Sequence, residues 1–289
     1  MRVKWFAALL LLLLPLTVQA EPLKVVVTFS ILSDMTHEVA GDNTRITSLV
    51  GPDSDVHVYE PAPADVQAVA GADMVIVNGL GLEGWIDRLT QAAGYHGPVV
   101  VATSGITPIM FGGAPDPHAW QSINNGKRYA SNIAAALSKA DPRHASDYME
   151  NARHYLLRLD ALDGWVRAQV ANVPQEKRRA ITSHDALRYF ADAYGITFIA
   201  PLGLSTSGDV SAGTVARLID QLRAKHVRAV FLENMADPRL MKQLVADGGA
   251  VIGGTLYSDA LSQPSGEAPT YIDLFRHNVS TIVAAIARN

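Results

Sequence analysis

The chain has 289 residues, of which 48% are apolar, enough to bury the cores of two domains. Its formal net charge of -4 leaves no basic footprint for nucleic acid. It contains no cysteine, which excludes disulfides and thiolate ligation and restricts any metal site to imidazole and carboxylate.

Arg2 and Lys4 precede an apolar run from Trp5 to Leu16, and Val18-Gln19-Ala20 stands before Glu21. This is the pattern of a secretory signal peptide over residues 1–20, cleaved after Ala20. The run is short for a membrane span and no later segment is apolar for long enough, so the expected mature protein is soluble and exported, with the periplasm as its compartment. Without cysteine it has no residue to carry an N-terminal lipid.

Leu23–Phe29 is a β-branched run that reads as a buried parallel strand, followed by a helix over Ile31–Val39 that stops at Gly41. The strand Ile46–Val50 leads to a turn bearing His57, where Asp55, Tyr59 and Glu60 are able to orient the ring. Pro61 and Pro63 open a helix over Ala64–Ala70, because proline is tolerated in a first helical turn. Met74–Val77 is the next strand. Asn78-Gly79-Leu80-Gly81, just after it, lacks the lysine and the glycine spacing of a phosphate loop. A helix over Gly84–Ala93 and a strand over Val99–Ala102 follow, then a loop over 103–117, rich in Gly and Pro, that ends at His118. Strands alternating with short helices predict a parallel sheet covered on both faces.

Lys127–Lys139 is helical and Asp141-Pro142 interrupts it. Tyr148, Ala152, Tyr155, Leu159, Leu162 and Val166 then recur at steps of four and three, the pattern of one long amphipathic helix that ends before Pro174. Periodicity alone does not distinguish it from a surface helix of one domain. The second half repeats the rhythm, with strands over Arg179–Ser183, Thr197–Pro201, Ala229–Glu233 and Ala250–Thr255, and helices over Ala186–Ala193, Ala212–Lys225, Pro238–Asp247 and Tyr271–Ala287. The expected architecture is α/β with two lobes, 21–141 and 174–289, each a parallel-sheet domain, linked by 142–173. Trp85, Trp120 and Trp165 are expected in the core or between lobes.

Four segments carry a resemblance. They are residues 51–85 around His57, Asp116-Pro117-His118-Ala119-Trp120, Thr182-Ser183-His184-Asp185-Ala186, and Gly254-Thr255-Leu256-Tyr257-Ser258-Asp259-Ala260-Leu261. Their residues and order resemble the cluster A-I solute-binding proteins of ABC transporters, the zinc and manganese type that includes the ZnuA- and TroA-like proteins. The resemblance covers essentially the whole mature chain. It implies two lobes joined by a rigid helix, with one metal ion held in the cleft between them by His57, His118, His184 and Asp259. It also implies, as partners, an inner-membrane permease and its separate ATPase; the chain itself shows no nucleotide motif. The expected protein is a monomer.

In open parallel sheets ligands bind beyond the carboxyl ends of strands, where these four residues stand, two from each half. Three imidazoles and one carboxylate suit Zn²⁺ in four-coordination; a bidentate Asp259 would make a five-coordinate site that Mn²⁺ or Fe²⁺ also accepts. Manganese members of the family usually carry Glu where His184 stands, so zinc is the favoured cargo and Mn²⁺ or Fe²⁺ the alternative. The source of the ion, whether free, from a metallochaperone or from a chelate such as a siderophore, is open. Glu60, Asp116, Asp185 and Glu233 are candidates to fix the imidazole tautomers. His37, His96, His144, His154, His226 and His277 match no motif and are not expected as ligands.

The chain departs from the family in three respects. Gln121-Ser122-Ile123 stands where most members have Leu-Asp-Pro, Val56 stands where proline is common, and the long histidine-rich insertion of many zinc-binding members is absent. The rival from another class is a zinc hydrolase in which His57, His118 and His184 hold a metal-bound water, which requires that Asp259 not be a ligand. A third reading, a structural adhesin, has no feature of the sequence behind it.

Overall fold

The computed structural model describes residues 21–208, 210–225 and 227–289; the signal peptide expected over 1–20 and His226 lie outside the described residues. The valine-rich run becomes β1 (Leu23–Phe29), a central strand, because its side chains have protein on both faces. Around it stand β2 (Thr44–Val50), β3 (Met74–Val77) and β4 (Val99–Val101) in the order β2-β1-β3-β4, all parallel. The crossovers are α1 (Ser30–Ala40), α2 (Pro63–Ala70) and α3 (Ile86–Ala92). Helix α1 stops at Gly41, whose φ of 56° lies in the region that favours glycine. Helix α2 starts on Pro63, with Asp65 Oδ2 accepting the Ala62 N–H at 2.7 Å.

The segment 103–117, expected as loop, contains a hairpin: β5 (Met110–Phe111) pairs antiparallel with β6 (Ala114–Pro115). Gly112 and Gly113, with φ of 59° and 87°, turn the chain between them, the two positive dihedrals a tight hairpin of this kind requires. Two-residue strands are too short to leave an alternation in the sequence.

Helix α4 (Ile123–Ala140) starts four residues before the expected Lys127, because Ile123, Gly126 and Tyr129 are buried and packing outweighs the weak helix propensity of Asn124-Asn125-Gly126. Helix α5 (Ala145–Ala171) has 27 residues, about 40 Å of rod. Its apolar stripe, Tyr148 to Val166 with Val170, is buried as the periodicity predicts.

The second sheet contains β7 (Arg179–Ile181), β8 (Thr197–Ile199), β9 (Ala229–Glu233) and β10 (Val251–Leu256), again all parallel, in the order β10-β9-β7-β8. Taken from β8, the order is second, first, third, fourth, the order of the first sheet, so the two lobes repeat one topology. Helices α6 (Arg188–Tyr194), α7 (Ala212–Lys225), α8 (Arg239–Gly248) and α9 (Tyr271–Ile286) complete this lobe.

Helix α5 packs on α1 and α4 of the first lobe and on α6 and α9 of the second, so it is not a surface helix of either. Arg158 pairs with Glu38 at 2.6 Å towards one lobe, and Tyr194 Oη donates to Asp163 at 2.8 Å towards the other. One apolar core runs through both lobes from Val25 to Ile286, and a smaller one fills the space between the second sheet and α7 and α8. Two lobes that share a core and one continuous helix are not joined by a flexible linker. Among the described residues no helix is long and apolar enough to cross a membrane.

Candidate metal centre

His57 lies on the turn after β2. Asp55 Oδ1 accepts its backbone N–H at 2.9 Å, and Trp85 Nε1 donates to the carbonyl of Val56 at 3.1 Å. His118 precedes a 3-10 turn over Ala119–Gln121; Asp116 Oδ1 accepts its N–H at 2.9 Å and lies 2.7 Å from its Nδ1. The peptide before it is fixed by Asn78 Nδ2, which donates to the Pro117 carbonyl at 2.9 Å and whose Oδ1 takes the hydroxyl of buried Tyr129.

His184 follows β7. Glu233, at the end of β9, accepts the N–H of Ser183 at 2.8 Å and of His184 at 3.2 Å through Oε1, and its Oε2 lies 2.7 Å from His184 Nδ1. The same Oε2 accepts the hydroxyl of Ser258 at 2.7 Å, so one buried carboxylate orients the loops that carry both His184 and Asp259. Across the lobes, Trp120 Nε1 and Gln121 Nε2 both donate to the Ser258 carbonyl, at 2.9 and 2.7 Å. Gln121, a departure from the resembled family, thus holds the residue beside Asp259.

The tips of these side chains converge. One potential donor atom from each of His57, His118, His184 and Asp259 lies within 4.8 Å of all the others. His57 Nε2 is 3.2 Å from His118 Nε2 and 3.3 Å from Asp259 Oδ2; Asp259 lies 3.7 Å from His118 Nε2 and 3.0 Å from His184 Nε2. Tetrahedral zinc bonds of about 2.0–2.1 Å would place neighbouring donors roughly 3.3 Å apart, a value that these four separations of 3.0–3.7 Å bracket. Both oxygens of Asp259 are fully buried and face the three imidazoles, the nearest nitrogen 3.0 Å away on His184, so the buried carboxylate needs either a charged ring or a cation to answer it. Burial opposes the charge on His184, yet the carboxylates of Glu233 and Asp259 outweigh it and hold the imidazole well above its usual range. Burial likewise works against an ionised Asp259, and the facing His184 and His118 hold its carboxyl well below the usual carboxylate range. The cluster is a buried anionic point ringed by imidazoles, electrically prepared for a positive charge.

The family described as the periplasmic zinc-uptake complex component A, ZnuA, matches residues 25–285. The chain belongs to this family. Its members are solute-binding proteins of metal ABC transporters, not enzymes. The chain is 36% identical over 269 residues to the manganese-binding lipoprotein MntA of Halalkalibacterium halodurans, covering 93% of this chain and 90% of that protein. It is 35% identical over 270 residues to the iron-binding protein YfeA of Yersinia pestis, covering 91% and 86%. The periplasmic zinc-binding protein TroA of Treponema pallidum superposes with a TM-score of 0.88 at 29% identity, over 92% of this chain and 99% of that one.

Within this family fold, the orienting candidates divide. Asp116 and Glu233 face ring nitrogens, whereas Glu60 is exposed outside the cluster and Asp185 turns to Arg188, whose Nε donates to it at 2.7 Å. Histidines 144, 154 and 277 bind Asp141, Glu150 and the Thr255 carbonyl instead, and no second His/Asp/Glu group among the described residues was found to gather like the first. Trp85 and Trp120 are buried; Trp165 is half-buried beneath the Arg276 guanidinium. At Asn78-Gly79 the backbone N–H groups donate to Glu83, at 2.6 and 3.1 Å, so that turn is filled by the protein's own carboxylate. Two contributors were not legible. Ser258 presents only its backbone carbonyl and hydroxyl, and Thr206, which donates to Asp55 Oδ2 at 2.6 Å, lies 151 residues away in sequence.

Proposed function

We propose that this protein is an exported receptor that binds one divalent transition-metal ion through His57, His118, His184 and Asp259 and passes it to an ABC permease driven by a separate ATPase. The observation that carries the reading is the convergence of four donors within 4.8 Å around the fully buried carboxylate of Asp259. Removal of a leader at Ala20 would release it as a free monomer into the periplasm.

Zinc is the ion the donor set favours. Three neutral nitrogens and one oxygen at tetrahedral spacing suit it, and the order of divalent-metal affinities places it above manganese and iron. Manganese or ferrous iron is the second reading, supported by the names of MntA and YfeA, because a transporter's cargo follows the supply of metal as well as affinity. Elemental analysis of protein isolated from the periplasm, with competition titrations, decides between them: one equivalent of zinc is expected, and one equivalent of manganese or iron would move the cargo assignment without moving the site.

The hydrolase reading finds no support. Asp259 stands within 3.0–3.7 Å of the donor nitrogens of all three histidines, in the position an attacking water would need. The zinc-loaded protein is expected to leave esters, peptides and phosphates intact.

A further inference from the structure

His57 is where the cluster reaches the surface: 5% of its side chain is exposed, against 0% for His118, His184 and Asp259. An ion that reaches the four donors passes the His57 turn. That turn is tied to the second lobe in two places of different character. Asp53 donates its backbone N–H to the Leu261 carbonyl at 2.9 Å and accepts Asn234 Nδ2 at 2.9 Å, which joins the turn to the chain just after Asp259. Asp55 is joined by one side-chain hydrogen bond, from Thr206 Oγ1 to Oδ2 at 2.6 Å, while its Oδ1 holds the His57 N–H.

Thr206 belongs to the irregular segment 201–208, which lies next to the smaller apolar core under α7 and α8 and not in the core the lobes share. Beside it is a cavity of about 890 Å³ whose walls include Asp55, Ser183, Thr206, Val210, Met235 and Leu240. Ser183 immediately precedes His184 and Asp55 stands two residues before His57, so the cavity borders both ligand-bearing turns without being lined by the four donors themselves. Swinging Thr206 away breaks one hydrogen bond and leaves the shared core, the Asp53 contacts and the orientation of His57 unchanged.

We infer that Asp55 is a cross-lobe positioning residue, one oxygen setting the His57 turn and the other clasping Thr206, and that this clasp closes the path by which the ion enters and leaves through the adjoining cavity. The inference rests on the reading of His57 as a ligand. The carboxylate also puts a negative charge on the path, where it draws a cation towards the donors.

The test is release of Zn²⁺ from the loaded protein into excess chelator, followed by stopped flow, with uptake and affinity measured on the same variants. Thr206→Val, which keeps the shape and removes the hydroxyl, should raise the release rate about tenfold, as expected for loss of a hydrogen bond to a charged group. A gate acts in both directions, so uptake should quicken too and Kd change less than threefold; Thr206→Ser should match wild type. Asp55→Ala should release at least as fast and, having also loosened His57, bind more weakly; adding Thr206→Val to it should change release no further. The ion-free unfolding temperature of Thr206→Val should fall by only a few degrees, as the loss of one hydrogen bond allows. A Thr206→Val release rate within twofold of wild type, a tenfold loss of affinity in that variant, or multiplying effects in the double variant would overturn the clasp while leaving the receptor reading intact. A wild-type protein that takes up no ion would overturn both.

Discussion

Asp116 and His118 are bound twice through a single atom: Oδ1 of Asp116 accepts the backbone N–H of His118 at 2.9 Å and lies 2.7 Å from its Nδ1. That contact fixes the ring so that Nε2 faces the donor cluster. Replacing Asp116 by Ala should weaken metal binding by about 10- to 100-fold, the usual effect of removing such a partner. Glu60→Ala, remote from the rings, should stay within about twofold of wild type. Competition against a chromophoric chelator measures both, and equal affinities for the two variants would contradict this assignment.

Metal uptake should expel protons. Burial disfavours a charge on His184 but Glu233 and Asp259 overcome it, so in the ion-free protein this imidazole keeps its proton well above the ordinary histidine range. A protonated ring cannot coordinate, so the ion must displace that proton and affinity must fall as pH falls. Calorimetry at pH 7 in buffers of different ionisation enthalpy should report about one proton released per ion. Uptake without proton release would show that His184 is neutral or not a ligand.

Asp34 links the lobes from α1 by accepting the Tyr271 N–H at 2.8 Å through Oδ2. Burial, only partly opposed by that hydrogen bond, pushes its carboxyl up from 3.8 to about 7, with Glu38 pushing further the same way. Because the folded state holds the proton more tightly than the unfolded chain, its contribution is fully present below pH 3.8 and is lost as pH rises through about 7. Asp34→Asn keeps an acceptor for Tyr271 and cannot ionise. Urea unfolding should find it close to wild type near pH 4 and more stable at pH 8 by on the order of 2–4 kcal/mol. A difference independent of pH would contradict this.

Gly126 on α4 lies against Tyr271 on α9: a Cβ built there would stand 2.5 Å from the tyrosine oxygen, which itself bonds the Trp120 carbonyl. Both partners are buried, so the ring has nowhere to retreat without moving a helix of the other lobe. Gly126→Ala should destabilise the fold by roughly 1–3 kcal/mol despite alanine's better helix propensity. A raised unfolding temperature would show that the lobes yield more easily than this packing implies.

The sequence announced what short-range patterns can encode. Runs of apolar residues marked β1 and β3, and the four-and-three spacing from Tyr148 to Val166 marked the rod. The four ligand candidates were legible because each stands in a distinctive segment after a predicted strand. What escaped depends on pairings distant in sequence. Nothing around Gln121 or Trp120 says that both donate to the carbonyl of Ser258, and nothing around Thr206 points to Asp55. Glu60 and Asp185 looked as able as Asp116 and Glu233 to support a ring, since closeness in sequence does not fix the direction of a side chain. The 110–115 hairpin was hidden because two-residue strands leave no period, and α4 began early because its first turn is held by tertiary contacts and not by propensity.

The central claim is that four side chains distant in sequence share one ion. Anomalous diffraction at the zinc edge, on crystals of protein loaded with one equivalent of Zn²⁺, tests it most directly. The account predicts a single peak about 2.0–2.2 Å from Nε2 of His57, His118 and His184 and from a carboxylate oxygen of Asp259. A peak bound elsewhere, or one at the three imidazoles with water in place of Asp259, would contradict it.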